Sequence, residues 1–105
     1  MNFVNLTPHT LNIHGPGGVW SCPPSGTIAR VATVNRAAAP VGDIPTVVTT
    51  LGEVTGLPEP APETVLIVSG MVATAAARAD VFSPGDLVRD HQGRPIGCKG
   101  LRRSC

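Results

Sequence analysis

The sequence predicts an α+β, β-dominated domain: a small sheet or partly open barrel of five to seven short strands with one short helix at about residues 70–78. Three observations carry that prediction. Short β-branched, apolar runs recur along the chain. Eleven prolines and twelve glycines fall between those runs rather than in one tract, which marks many tight connections. Only one segment, rich in alanine, has helical character. At 105 residues the chain is read as a single domain spanning 1–105, large enough for one core and too small for two.

Taken in order, "FVNL" (3–6) and "LNIH" (11–14) read as strands flanking Thr7-Pro8-His9. "GPGG" (15–18) turns the chain into "VWSC" (19–22), a hairpin whose glycines accept the positive φ such turns need. After the turn "PPSG" (23–26), "TIARVATV" (27–34) is the clearest strand, with Ile28, Arg30, Ala32 and Val34 on one face. "NRAAAPVGD" (35–43) reads as a surface connection, and "IPTVVTTL" (44–51) as a further β-branched strand. "GEVTGLPEPAPE" (52–63), with three prolines and three glutamates, reads as an extended, exposed, acidic loop.

"TVLIVS" (64–69) is uniformly apolar and β-branched, the pattern of a central strand covered on both faces. "GMVATAAAR" (70–78) is the helix, with Ser69 as N-cap; at that length it must pack on the sheet to persist. "SPGD" (83–86) reads as a turn. "LVRD" (87–90) and "PIGCKGL" (95–101) form a last hairpin through Gly93, ahead of a tail at Arg102 and Arg103 expected to fray.

Composition excludes several classes of function. The net charge is +1, only 14% of residues are charged, and the aromatics are Phe3, Trp20 and Phe82. A nucleic-acid binder needs a broad basic surface or a stacking platform, so no nucleic-acid partner is expected. No run approaches the roughly 20 apolar residues that span a bilayer, so no membrane partner is expected either. Cys22, Cys98 and Cys105 are odd in number and lack paired spacing. Together with an N-terminus lacking a leader pattern, they read as free thiols of a cytoplasmic protein. His9, His14 and His91 do not combine with them in a zinc spacing, and no cofactor motif is present, so neither metal nor cofactor is expected.

The strand-to-helix turn at Ser69-Gly70 is the first candidate site. Free N–H groups at a helix start suit a phosphate or carboxylate, and Gly70 lets a ligand approach the backbone. The plainer alternative is that Ser69 only caps the helix and Gly70 only relieves crowding. Arg30, Arg78, Arg89 and Lys99 lie in or beside predicted elements. Converging near the helix start, they would clamp a multiply charged small molecule. The alternative is ordinary surface pairing, Arg78 with Asp80 and Arg89 with Asp86 or Asp90. In "NLTPH" (5–9), Thr7 before Pro8 is forced toward extended geometry, so Thr7 and His9 stand on a stiff bend suited to orienting a ligand.

The strings "NLTPHTLNI", "PSGTIARV", "LGEVTGLPEP", "VLIVSGMVA", "RADVFSPGDLVRD" and "GRPIGCKGL" resemble a family of small proteins of bacteriophages, prophages and actinobacterial genomes. The resemblance covers nearly the whole chain and implies a phage or mobile-element protein working in the host cytoplasm. By analogy with small phage proteins, it implies action by binding, including sequestration of nucleotide signals of host defence.

Three functional readings follow. The first is a non-enzymatic protein that binds a small anionic, nucleotide-derived ligand through Thr7, His9, Arg30, Ser69, Gly70, Arg78, Arg89 and Lys99. It is expected to be a homo-oligomer, because so small a β-rich chain leaves sheet edges to cover. The second is a protein-interaction module, antitoxin-like or inhibitory, using loop 52–63 or a sheet edge. The third is a small hydrolase using His9, for which no nucleophile–base set is visible. The first two separate on one point: the ligand reading needs the internal arginines in one concavity, whereas the interaction reading needs an exposed apolar surface.

Overall fold

The computed structural model describes residues 1–103. They form β1 (Asn2–Asn5), β2 (Leu11–Gly15), β3 (Gly18–Cys22), β4 (Arg30–Val41), β5 (Ile44–Thr55), β6 (Thr64–Ile67), α1 (Gly70–Ala76), β7 (Val81–Arg89) and β8 (Pro95–Arg103). Six strands make one sheet in the order β1-β6-β7-β8-β2-β3, and among the described residues β4 and β5 pair only with each other. The β-dominated α+β class read from the sequence is the class observed.

The uniformly apolar run 64–69 explains the centre of the sheet. β6 pairs in parallel with β1 on one side and β7 on the other. Its alternation serves two cores at once. Leu66 joins Val68, Leu6, Val72, Ala73 and Val81 beneath the helix. Ile67 joins Ile13, Cys22 and Cys98 on the opposite face. Leu66, Ile67 and Val68 are essentially inaccessible, as expected, while Val65 is only half-buried.

The six-stranded sheet is curled, so its two edge strands, β1 and β3, face one another. The seam carries specific bonds. Asn5 Nδ2 donates to the Cys22 carbonyl at 3.0 Å, and the Ser25 N–H and hydroxyl donate to the Asn5 carbonyl at 2.9 and 2.8 Å. Phe3 and Trp20 meet edge-on there, with ring centroids 4.8 Å apart.

Helix α1 has the expected cap: Ser69, in extended backbone, accepts a 3.4 Å bond from the Val72 N–H. It ends at Ala76, two residues short of the expected end, and the C-cap Ala77 adopts φ 50° and donates to the Ala73 carbonyl.

The main departures from expectation lie in residues 35–43 and 83–86. "NRAAAPVGD" is not a connection; its first seven residues extend β4 to Val41, and Gly42-Asp43 is the hairpin turn. Alanine and asparagine have weak strand preference, but here they pair with the β-branched run of β5, and cross-strand packing decides the outcome. Gly42, at φ 59° in the first central position, meets the backbone requirement of a tight two-residue hairpin. Residues 52–55 continue β5, so the exposed loop begins at 56. "SPGD" lies inside β7. Pro84 sits beyond the short pairing with β6, where it costs no ladder bond on that side. A Cβ on Gly85 would run into the Lys99 carbonyl, so close strand approach requires glycine there. Arg102 and Arg103, expected to fray, are held in β8 opposite Ser83 and Phe82.

β4 and β5 therefore form a long two-stranded arm. Its base packs Val31 and Val54 against the helix-side core, and the rest projects. The radius of gyration, 16.5 Å, exceeds the ~13 Å of a compact domain of about this length.

Candidate functional site

Two features stand out on the surface: a cavity at the base of the arm and the arm itself. The cavity, about 300 Å³, lies where the Thr7-Pro8 bend, the start of β4 and the start of α1 meet. Leu6, Ile28, Met71 and Val72 give it an apolar wall, and Arg30 is its one charged lining residue. Arg30 is exposed and makes no ion pair among the described residues.

Of the residues singled out from the sequence, Thr7, Arg30 and Ser69 share this cavity. Thr7 is buried and its hydroxyl is engaged, donating to Asn5 Oδ1 at 2.6 Å. Ser69 caps α1. Gly70 adjoins the cavity, but a Cβ there would meet nothing within 4 Å and its φ is not positive. Neither crowding nor backbone conformation demands a glycine at that point.

The other candidates lie elsewhere, so the arginines do not meet in one concavity. Arg78 grips Asp80 through two bonds, Nε–Oδ1 at 3.0 Å and Nη2–Oδ2 at 2.7 Å, and also donates to the Pro58 carbonyl. It ties the proline-rich loop to the end of the helix. Arg89 donates to the Gly93 carbonyl at 2.8 Å and closes the β7–β8 turn. Asp86, a suggested partner of Arg89, pairs instead with Arg102 at 2.6 Å. Lys99 is exposed on β8, in register with His14 and Asp86. His9 is exposed on the rim of a second, more apolar hollow of about 490 Å³ that includes Leu11, Leu87, Ile96 and Cys98.

The bend "NLTPH" is organised from Asn5, which the sequence reading passed over. Asn5 is 1% exposed. Its Oδ1 accepts from the Thr7 N–H and hydroxyl, and its Nδ2 donates to the His9 and Cys22 carbonyls. Asparagine two residues before threonine is a known side-chain turn pattern, and that spacing was the available signal.

The thiols are interior. Cys22 and Cys98 are free and buried in the core on the inner face of the sheet, and burial pushes the Cys22 thiol pKa up. Cys105 lies outside the described residues. Among the described residues no group of three His, Cys, Asp or Glu side chains could hold a metal ion. No helix among them is long and apolar enough to cross a membrane.

The arm presents a different surface. Strand alternation and the cross-strand register, with slips at Val31/Thr33 and Ala38/Val41, gather Val34, Ala38, Val41, Ile44 and Val48 on one face. Val47 and Leu51 lie on the other. Val41, Ile44 and Val48 are 66%, 67% and 51% exposed. Among the described residues no third strand joins either edge. The local signal for the arm was the Gly42-Asp43 dipeptide, a turn pair ahead of the β-branched run of β5.

No protein-family model, curated protein or solved structure matches the chain.

Proposed function

We propose that this protein is a non-enzymatic interaction module that engages a protein partner through the β4–β5 arm. The observation that supports it most is the exposure of Val34, Val41, Ile44 and Val48 along one face of a projecting ribbon with two unpaired edges. An isolated two-stranded hairpin is marginal in water, and contiguous apolar patches on monomers are small unless they bind something. Backbone groups on the free edges can add a partner's strand, while alternate side chains supply selectivity. This corresponds to the antitoxin-like or inhibitory class, with the sheet edge supplied by the arm. Loop 56–63 is a poorer candidate, because Arg78 already holds its Pro58 carbonyl.

A second reading is favoured by the cavity, which Thr7, Arg30 and Ser69 all line. One charged residue among mostly apolar lining suits a small molecule with a single anionic group. It suits the multiply charged, nucleotide-derived ligand of a defence signal less well, because Arg78 and Arg89 are engaged elsewhere.

Native mass spectrometry of freshly purified chain separates the two. The interaction reading expects a protein-sized complex that disappears in the double variant Val34→Asp/Val48→Asp and persists in Arg30→Ala. A small anionic adduct that is lost in Arg30→Ala and indifferent to the arm variant would replace it with the ligand reading.

A further inference from the structure

We infer that the partner seated on the arm is a second copy of this chain, bound in a two-fold, antiparallel contact in which Arg36 of each copy faces Asp43 of the other. This rests on the interaction reading and adds the identity of the partner.

The charge pattern supplies the argument. Between Val31 and Gly52 the arm carries two charged residues only, Arg36 and Asp43, one of each sign. Neither has an ion pair among the described residues. Asp43 is in the tip turn, and Arg36 lies partway down β4, opposite Val48. At ~3.3 Å per residue they are roughly 20 Å apart along the arm, too far to pair within one copy. Two arms laid antiparallel on a two-fold axis bring each Arg36 to the other copy's Asp43, forming the pair twice. A surface carrying both halves of its own contact is what an isologous interface requires. A surface that is close to neutral and largely aliphatic offers little to a strongly charged macromolecule.

The side chains agree with that axis. It passes near Ala38 and Thr46, which pair across the ribbon and are small enough for close approach. Val41 and Ile44 of one copy then lie over Ala38 and Val48 of the other. About that axis the two arms overlap from the tip turn to the level of Arg36 and Val48, some six residues or ~20 Å. So short a contact makes a weak dimer that forms at high concentration.

Charge reversal tests the contact, because like charges placed opposite one another repel strongly whatever the pair itself contributes. The full chain is expected to sediment as two copies at high concentration. Arg36→Glu and Asp43→Lys, each alone, should weaken self-association about tenfold or more. Mixing those two variants should restore it as a mixed dimer, since Glu then faces Lys and Arg faces Asp. The double reversal in one chain should restore it as well. Circular dichroism keeps the test clear of misfolding: each variant should retain the wild-type β-sheet spectrum. A wild-type chain that stays monomeric, or single reversals that mixing fails to rescue, overturns the second-copy assignment. The interaction reading itself falls on a separate result, a protein-sized complex with another chain that is unaffected by Val34→Asp/Val48→Asp.

Discussion

Asn5 Oδ1 accepts hydrogen bonds from both the backbone N–H of Thr7, at 2.9 Å, and its hydroxyl, at 2.6 Å. Both residues are buried, and the same asparagine reaches across the seam of the curled sheet to the Cys22 carbonyl. The Thr-Pro-His bend is therefore held from beneath by a side chain that also joins the two edge strands. Replacing Asn5 with Leu strands the Cys22 carbonyl and the Thr7 N–H and leaves the His9 carbonyl to the Thr7 hydroxyl alone, and should cost about 3 kcal/mol or more in urea denaturation. Thr7→Val removes the hydroxyl that Asn5 and the His9 carbonyl share and should cost about 1–2 kcal/mol. Equal, small losses for both would show that Asn5 is not the hub.

Ile67 is inaccessible at the centre of the inner-face core, whereas Met71 on the first turn of α1 is half exposed. Ile67→Ala should destabilise by about 2–5 kcal/mol through the cavity it leaves. Met71→Ala should stay within about 0.5–1 kcal/mol. The comparison in one denaturation series checks that β6 is the central strand.

The Cys22 thiol supplies a pH dependence. Burial disfavours the thiolate, so the folded chain holds this proton more tightly than the unfolded chain does. Stability is fully present below the ordinary thiol value of 9.0 and is lost as pH rises above it, because the unfolded state ionises first. Cys22→Ala should flatten that part of the stability curve. In Cys105→Ser protein, native Cys22 and Cys98 should resist alkylation until denaturant is added.

Arg78→Ala tests a structural role. The pair with Asp80 is partly exposed, with side chains 28% and 21% accessible, so its loss should cost about 1 kcal/mol or less. Freed from Arg78, loop 56–63 should be cut faster by protease, with self-association unchanged. A loss of binding with an intact loop would return Arg78 to a ligand site.

What the sequence made legible follows from how local each signal is. β6 declared itself through an unbroken apolar run, and α1 through alanines behind a capping serine; both signals are contiguous. The arm did not, because Ala37, Ala38 and Asn35 are strand residues only by virtue of Val47, Thr46 and Thr49 across the ribbon. β7 hid behind Pro84 and Gly85, which read as a turn until the free flank of β7 and the approach of β8 are known. The candidate site was legible in part. Arg30, Thr7 and Ser69 meet, but nothing local to Arg78 or Arg89 could say that Pro58 and Gly93 carbonyls would claim their guanidinium groups.

Hydrogen exchange along the arm tests the account most directly, because it reads whether that surface is covered. The amides of residues 32–51 should be protected in the chain at high concentration and should exchange rapidly on dilution or in Val34→Asp/Val48→Asp. The amides of β6 should stay protected throughout. Arm amides that exchange equally fast in wild type and variant at every concentration would contradict the pairing of the arm with a second copy.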